Sequence, residues 1–466
     1  MASVVAAIAL LQSLASDSMW VDRAFTSMRY AFSFAFGFEG KLPGQPTGTM
    51  GFLDPLWVTL LAATHGLGLH PVKVIPLLCP VVAALTVLIV TADAWRRFGS
   101  VSSIVPTAAL VASAPFLAAS RSGTDDVWLG FWTILVLTMS SRITESDRSC
   151  WGVRAVAFGL GLTGPFGLAV TLGMAVLGAR SVLASAVAAA GLQLGLALLF
   201  GLDAATAFWF DLAALDIGRL GQLVSTAPVL LILGAAAVFR AGTGDPAIRC
   251  GLWAVAVWLI YGASGAPDTA SLADRFVPCL VVLSWLGAWS MSLPRRSGLV
   301  VLATVSLGFL DVAGSRVGFE DAAKERRVTL KESQVMARFL RWRFDPKETV
   351  VLHSPGSIAY HYGGPVVDAS GRTEVRDVSP PAILEMGPSA MVPAGQYVGQ
   401  TITFTPMFST HQEALRAKYD HHSVQHQRKW GLTRANPVFF QYLTLKTLAR
   451  LPDHISEEDG NRFPKQ

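Results

Sequence analysis

The chain has 466 residues, 52% of them hydrophobic and only 15% charged, with a formal net charge of +5. A water-soluble protein of ordinary composition is about one quarter charged, so these values exclude one and point to the bilayer. The basic residues lie in short clusters between apolar runs instead of on one soluble patch, which excludes nucleic-acid binding.

Crossing the hydrocarbon takes roughly 20 apolar residues. Candidate spans fall at 2–16, 72–93, 101–119, 127–140, 152–163, 166–180, 182–200, 226–239, 251–264, 275–292 and 297–314, about eleven in all. Residues 2–16 resemble a signal-peptide core but lack a basic start and a cleavage site, so they read as a short uncleaved span; a wrongly assigned start codon is the alternative. The 152–180 region is split at Gly164-Pro165 and reads as two spans or one broken hairpin. Residues 55–70 are apolar too, but counting them as a span would put Arg96 and Arg97 outside. As an amphipathic or half-inserted interfacial helix they leave Arg96, Arg97, Arg142, Arg154, Arg180, Arg240, Arg249, Arg295 and Arg296 on the inner side, as the positive-inside rule requires. The external loops are then 17–71, 120–126, 201–225 and 265–274, and they hold Asp22, Asp54, Asp125, Asp126 and Asp274.

Charge, His and Pro rise after 315, where no run is long enough to span. The expected fold class is an α-helical polytopic membrane protein, residues 1–314, with a C-terminal soluble α/β domain, residues 315–466, facing the periplasm of a bacterium. Residues 329–344 space Leu330, Val335, Met336, Phe339 and Leu340 at helical period. Strands at 348–353 and 365–368 flank a glycine-punctuated turn at 356–360, and Tyr397 to Phe408 reads as another strand. Tyr360, His361 and Tyr362 read as the edge of a small core, with an aromatic sugar platform as the alternative. His421, His422 and His426 have the spacing of a helical metal pair, but their polar and basic surroundings read as a solvated face. Cys79, Cys150, Cys250 and Cys279 lie within or near spans, with neither a disulfide framework nor zinc-ligand spacing.

The first external loop carries Asp22-Arg23-Ala24-Phe25, then Arg29-Tyr30-Ala31, then Gly51-Phe52-Leu53-Asp54-Pro55-Leu56-Trp57. Further on come Ser122-Gly123-Thr124-Asp125, Gly164-Pro165-Phe166-Gly167 and Arg275-Phe276 followed by Pro278. In the C-terminal part stand Gly356-Ser357-Ile358-Ala359-Tyr360 and Asp368-Ala369-Ser370-Gly371. This ordered set resembles the GT-C superfamily of membrane glycosyltransferases that use polyprenyl-phosphate sugars, and within it the terminal arabinofuranosyltransferase branch. Two departures stand out: Arg23 occupies the second of two acidic positions, and Met50 replaces an acidic residue.

The resemblance implies an inverting transfer of a sugar, a pentose such as arabinofuranose in that branch, from a polyprenyl-phosphate donor to an envelope glycan. The acceptor hydroxyl must lose a proton as the bond forms, and the departing phosphate needs cationic donors. On that basis Asp22 is the expected general base. Arg29, Arg275 and Arg23 are the expected donor-phosphate ligands. Asp125, Asp126, Asp54, Tyr30 and Trp57 are the expected supporting or substrate-binding residues. The bland readings are an N-cap for Asp125 and Asp126, a helix cap or snorkelling side chain for Arg29, and a span terminator for Arg275. A divalent cation would be chemically compatible, though nothing in the residues indicates one. The alternative function is a non-catalytic binder or carrier of a lipid-linked glycan, favoured by Arg23 and Met50. A secondary transporter would show internal repeats, and the chain shows no such symmetry.

Overall fold

A computed structural model describes residues 2–15, 20–36, 54–99, 104–143, 150–177, 182–200, 218–241, 244–264, 274–290, 330, 333–345, 347–352, 355–368, 380–392, 419–426, 429–430, 433–434 and 438–445. The chain divides into two compact units. One is Met1–Ala24, Phe52–Leu199 and Ala204–Arg327; the other is Phe25–Gly51, Phe200–Asp203 and Val328–Gln466.

The first unit is helical. Its elements are α1 (Ala2–Ala15), the start of α2 (Asp22–Ala35), α3 (Pro55–Gly66), α4 (Pro71–Phe98), α5 (Ile104–Ala112), α6 (Ala114–Ser122), α7 (Asp126–Ile143), α8 (Cys150–Gly161) and α9 (Pro165–Leu177). Then come α10 (Leu183–Phe200), α11 (Gly218–Thr226), α12 (Pro228–Ala241), α13 (Pro246–Ala263), a 3-10 turn at Asp274–Phe276 and α14 (Val277–Ser290). Each expected span up to 275–292 coincides with a described helix or helix pair, while 297–314 lies outside the described residues. Two described helices, α4 and α13, are long and apolar enough to cross a membrane by themselves. Within 55–70, Pro55–Gly66 form α3, a separate short helix capped by Asp54.

The expected single span at 101–119 is instead α5 and α6, bent by 61°. Ser113 is extended, with ψ 133°, and Pro115 follows. A proline ring clashes with the carbonyl four residues back and has no N–H to give it, which kinks or breaks a helix; here the break falls at Ser113, and Pro115 opens α6. Proline acts differently in α4, which runs through Pro76 and Pro80. Pro80 leaves the Pro76 carbonyl without its helical donor, and Arg121 Nη1 supplies one at 3.4 Å.

A large apolar core, with Val87, Leu110, Phe116, Ile134, Leu160, Val170, Trp258 and Leu286 among its members, joins most of these helices. Hydroxyls inside it are satisfied locally. Thr86, Thr91, Thr133, Thr138 and Thr171 each donate to the carbonyl four residues earlier, as an apolar surrounding without water demands. At one end of α4 the buried Asp93 accepts from Arg97 at 2.8 Å and from Trp285 Nε1 at 3.0 Å, and Arg97 also bonds Ser141.

The second unit mixes helix and strand. Beyond the rest of α2 it has α15 (residues 333–343), β1 (Val350–Leu352), α16 (Pro355–Tyr362), β2 (Val366–Asp368), α17 (Pro380–Met386), β3 (Ala390–Val392), β4 (Tyr419–His426), β5 (Lys429–Trp430), β6 (Thr433–Arg434) and β7 (Val438–Leu445). The main sheet has the order β2-β1-β3-β7-β4, with β2, β1 and β3 parallel and β7 antiparallel to both its neighbours. Parallel neighbours need a crossover, and α16 supplies it between β1 and β2. The stretch expected as a turn at 356–360 is therefore helical. Met336, Phe339, Leu340, Val350, Ile358 and Val366 build the core between helices and sheet.

His421, His422 and His426 lie on strand β4. At about 3.3 Å per residue, His422 and His426 are about 13 Å apart along the strand, so the helical metal-pair spacing does not apply. The strand expected at Tyr397 to Phe408 lies outside the described residues.

Candidate functional site

The site is built where α2, α3, α7 and α13 begin or end. Trp20 and Val21 lead into α2, and the Val21 N–H donates to the Ser122 carbonyl at 3.3 Å. Gly123, with φ +77°, forms the turn between α6 and α7. Any Cβ there would lie 2.5 Å from the Trp20 ring, so glycine lets the aromatic lie flat against the turn and sets the entry of α2. The residue three positions on from Trp20 is Arg23.

Arg23 Nη2 donates to Asp125 and, at 2.6 Å, to the Tyr261 hydroxyl; Nη1 is 3.6 Å from Asp126. Tyr261 in turn donates to Asp126 Oδ1 at 2.9 Å, and Thr124 donates to Asp126 Oδ2 at 2.6 Å. Arg23 keeps 28% of its side-chain surface, against 10% for Asp125 and 1% for Asp126. The cluster therefore opens at the arginine. Burial alone would make the Arg23 charge harder to hold, but Asp125, Tyr261 and Asp126 overcome it and raise its pKa further. Thus the guanidinium stays charged.

Asp54 caps α3, accepting from the Trp57 N–H at 2.9 Å. Burial and then the charge of Asp125 push its carboxyl well above the usual carboxylate range, against the pull of the Trp57 N–H and Arg23. Carboxylates crowded into a dry site cannot all ionise. Trp57 is fully buried, with its ring 5.9 Å from that of Trp128.

On the other side of Tyr261, the Arg275 guanidinium sits 4.9 Å from the ring centroid and donates from Nη1 to the Ser264 carbonyl. Arg219 donates to the same carbonyl at 3.0 Å. Arg275 is half-buried, and its Nε has no hydrogen-bond partner among the described residues. It thus retains donor capacity for an anion. Tyr261 lies between two guanidiniums, the second being Arg23 at 5.7 Å, and a phenol face attracts cations.

Of the residues expected from sequence, the structure brings Arg23, Asp54, Asp125, Asp126, Trp57 and Arg275 into this region of the first unit. Asp125 does stand directly before α7, and its carbonyl accepts from the Leu129 N–H at 2.8 Å; its carboxylate is occupied by Arg23. Asp22 opens α2, and its side chain lies outside the described ones. Arg29 and Tyr30 are buried on the part of α2 that belongs to the second unit, where the Phe25 ring is 5.5 Å from that of Tyr360. Tyr360 sits against aromatic neighbours, and burial raises its phenol to about 12.

Tyr261 and Arg219 stand in no motif, and Thr124 stands in one without an expected role. Tyr261 had one signal: it is a phenol near the end of an otherwise apolar span, where a polar tip needs a partner when buried. Among the described residues, no group of three His, Cys, Asp or Glu is arranged to hold a metal ion.

No protein-family model matches the chain, and no curated protein matches it. Solved structures do. The crystal structure of ArnT from Cupriavidus metallidurans bound to undecaprenyl phosphate superposes with a TM-score of 0.57 at 14% identity, over 96% of this chain and 99% of that one. Its apo state gives 0.55, also at 14% identity, over 96% and 98%. The cryo-EM structure of the arabinofuranosyltransferase AftD from mycobacteria is matched at 15% identity and a TM-score of 0.45, over 95% of this chain and 41% of that one. At these identities the likeness to the ArnT structures is one of fold alone.

Proposed function

We propose that this protein is a multi-pass bacterial inner-membrane glycosyltransferase that moves a sugar from a polyprenyl-phosphate donor to an envelope glycan on the periplasmic side. The reading takes about eleven spans, with residues 315–466 as a periplasmic domain that holds the acceptor. The observation that carries it is the cluster of carboxylates and guanidiniums at the ends of apolar helices, Arg23, Asp125, Asp126 and Arg275 around Tyr261. It occurs in a fold shared along its length with an ArnT structure bound to undecaprenyl phosphate.

In the proposed reaction the acceptor oxygen attacks the anomeric carbon from the face opposite the lipid phosphate. The new C–O bond forms as the bond to phosphate breaks, and the configuration inverts. The acceptor proton passes to Asp22, while Asp125 and Asp126 accept hydrogen bonds from Arg23, Thr124 and Tyr261. The phosphate leaves with the bonding pair, and Arg275 meets its charge. An aqueous carboxylate is a weak base, but hydrogen-bond reach and a dry site compensate. The sugar is proposed to be a pentose, on the resemblance to the arabinofuranosyltransferase branch.

The alternative is a non-catalytic binder or carrier of a lipid-linked glycan. What favours it is the same ion pairing: Asp125 and Asp126 are committed to protein donors and cannot serve as bases. Envelope glycan composition in wild-type, deletion and deletion-plus-Asp22→Asn strains separates the two. Loss of one terminal sugar that Asp22→Asn fails to restore, with the variant at normal membrane level, supports the enzyme and names the sugar. Full restoration by Asp22→Asn sinks the assigned base and moves the carrier ahead.

A further inference from the structure

Four of the six carboxylate oxygens of Asp54, Asp125 and Asp126 accept from protein donors. Asp125 Oδ1 accepts from Arg23, Asp126 Oδ1 from Tyr261, Asp126 Oδ2 from Thr124, and Asp54 Oδ1 from the Trp57 N–H. A divalent cation in an oxygen site needs six or more ligands, and Mg²⁺ holds a near-octahedral geometry. To enter here it would have to break these bonds and sit within a few ångström of a fixed guanidinium. Two like-signed charges about 4 Å apart repel strongly in a buried setting. The guanidinium also fills the geometric role of a bridging ion: one nitrogen bonds Asp125 and the other lies 3.6 Å from Asp126.

We propose that Arg23 is the resident cation of this cluster, taking the place a divalent metal ion would hold, so that the site is independent of metal. The proposal concerns the cluster whether or not it transfers sugar; only its consequence for turnover rests on the glycosyltransferase reading. Planar guanidinium suits the role because it spans two carboxylates with directed N–H groups and stays charged at any working pH. It also explains how a loop motif can carry arginine at an acidic position without leaving Asp125 and Asp126 uncompensated.

The test uses full-length protein purified in detergent, with Mn²⁺ as the probe, free ion read by electron paramagnetic resonance and melting temperature followed in parallel. Wild type should bind no stoichiometric Mn²⁺, and neither MnCl₂ nor EDTA should shift its melting. Arg23→Ala should gain one Mn²⁺ site at least about tenfold tighter than any wild-type binding, raise its melting temperature with MnCl₂, and lose both on adding Asp125→Asn. Arg23→Lys keeps a cation and should stay metal-free. Stoichiometric wild-type binding that Asp125→Asn removes overturns the proposal. So does a folded Arg23→Ala that gains no site, or Arg23→Lys binding as tightly as Arg23→Ala. If Arg23→Ala does not fold, the wild-type and lysine titrations still decide. Because the readout is metal occupancy, absence of sugar transfer would refute the function proposed above and leave this result standing.

Discussion

Replacing Tyr261 with phenylalanine removes one oxygen and little else, which makes it a sharp test of the polar cluster. The hydroxyl accepts from Arg23 at 2.6 Å and donates to Asp126 at 2.9 Å. Phenylalanine keeps the ring, so the edge contacts with Phe166 at 5.2 Å and Trp258 at 5.5 Å survive. It also keeps the face presented to Arg275. A hydrogen bond to a charged group contributes about 1.5–3 kcal/mol net, and two are lost. Arg23 retains Asp125 and can draw closer to Asp126, which offsets part of the loss. The expected destabilisation is therefore about 2–4 kcal/mol. Thermal unfolding of the purified protein should show the midpoint falling by several degrees. Tyr261→Leu should fall further, since it also gives up ring–ring and cation–π contacts of about 0.5–1.5 kcal/mol each. In an Arg23→Ala background the added effect of Tyr261→Phe should shrink, because the two residues share partners. A midpoint for Tyr261→Phe within about one degree of wild type would refute the claim that this hydroxyl bridges the cluster.

Three other perturbations probe the surroundings. Gly123→Ala places a Cβ 2.5 and 2.7 Å from Trp20 ring carbons at φ +77°; backbone strain of about 1–2 kcal/mol plus overpacking of about 1–3 kcal/mol should lower the melting temperature, and an unchanged midpoint would contradict it. Asp54 is a raised carboxyl, so the folded state binds its proton at pH values where the unfolded chain, at about 3.9, has released it. Stability from this group is present below about pH 4 and is lost as pH rises toward the folded pKa. Asp54→Asn, which can still cap Trp57, should flatten that decline and melt higher than wild type at alkaline pH; a parallel profile would show that Asp54 ionises normally. Arg275→Ala should raise KM for a polyprenyl-phosphate donor by about tenfold or more, the cost of one charge-assisted contact, with a small change in melting; an unchanged KM would remove Arg275 from phosphate binding.

The helical membrane part was legible because its signal is a single quantity, apolar length, which depends on no partner. Even there, 101–119 hid a bend: its apolar sum suits one span, and the break before Pro115 divides it into two helices. The interfacial assignment of 55–70 came from charge sidedness, and Asp54-Pro55 marks that helix start by an ordinary capping rule. Residues 356–360 read as a turn because they begin at Gly356, lie just before Gly363-Gly364 and are too few for periodicity to show. At the site, motif order pointed to Arg23, Asp54, Asp125 and Arg275, yet said nothing of how they contact one another. What joins them is Tyr261, 238 positions from Arg23 and 135 from Asp126. No spacing rule reaches across such distances, and a lone tyrosine in an apolar run looks like packing until its neighbours are known.

Asp125 and Asp22 carry different roles in the proposed reaction, and substitution tells them apart. Asp125 pairs with Arg23 at a buried position and so ties the first turn of α2 to the start of α7. Truncating one partner of such a pair leaves an uncompensated charge and costs about 3–5 kcal/mol; amide replacement keeps part of the hydrogen bonding and should cost less. Asp22 precedes the arginine on the same helix and is the carboxylate to which the proposed reaction gives the proton. Asp125→Asn should therefore lower the melting temperature and reduce transfer only through lost folded protein, in proportion to it. Asp22→Asn should leave melting close to wild type and abolish transfer per folded molecule. The pH dependence of transfer should also vanish with Asp22→Asn and persist, on the residual rate, with Asp125→Asn. If Asp125→Asn is the variant that keeps its melting point and loses turnover, the base lies on the turn before α7, and Arg23 is then the group that tunes it.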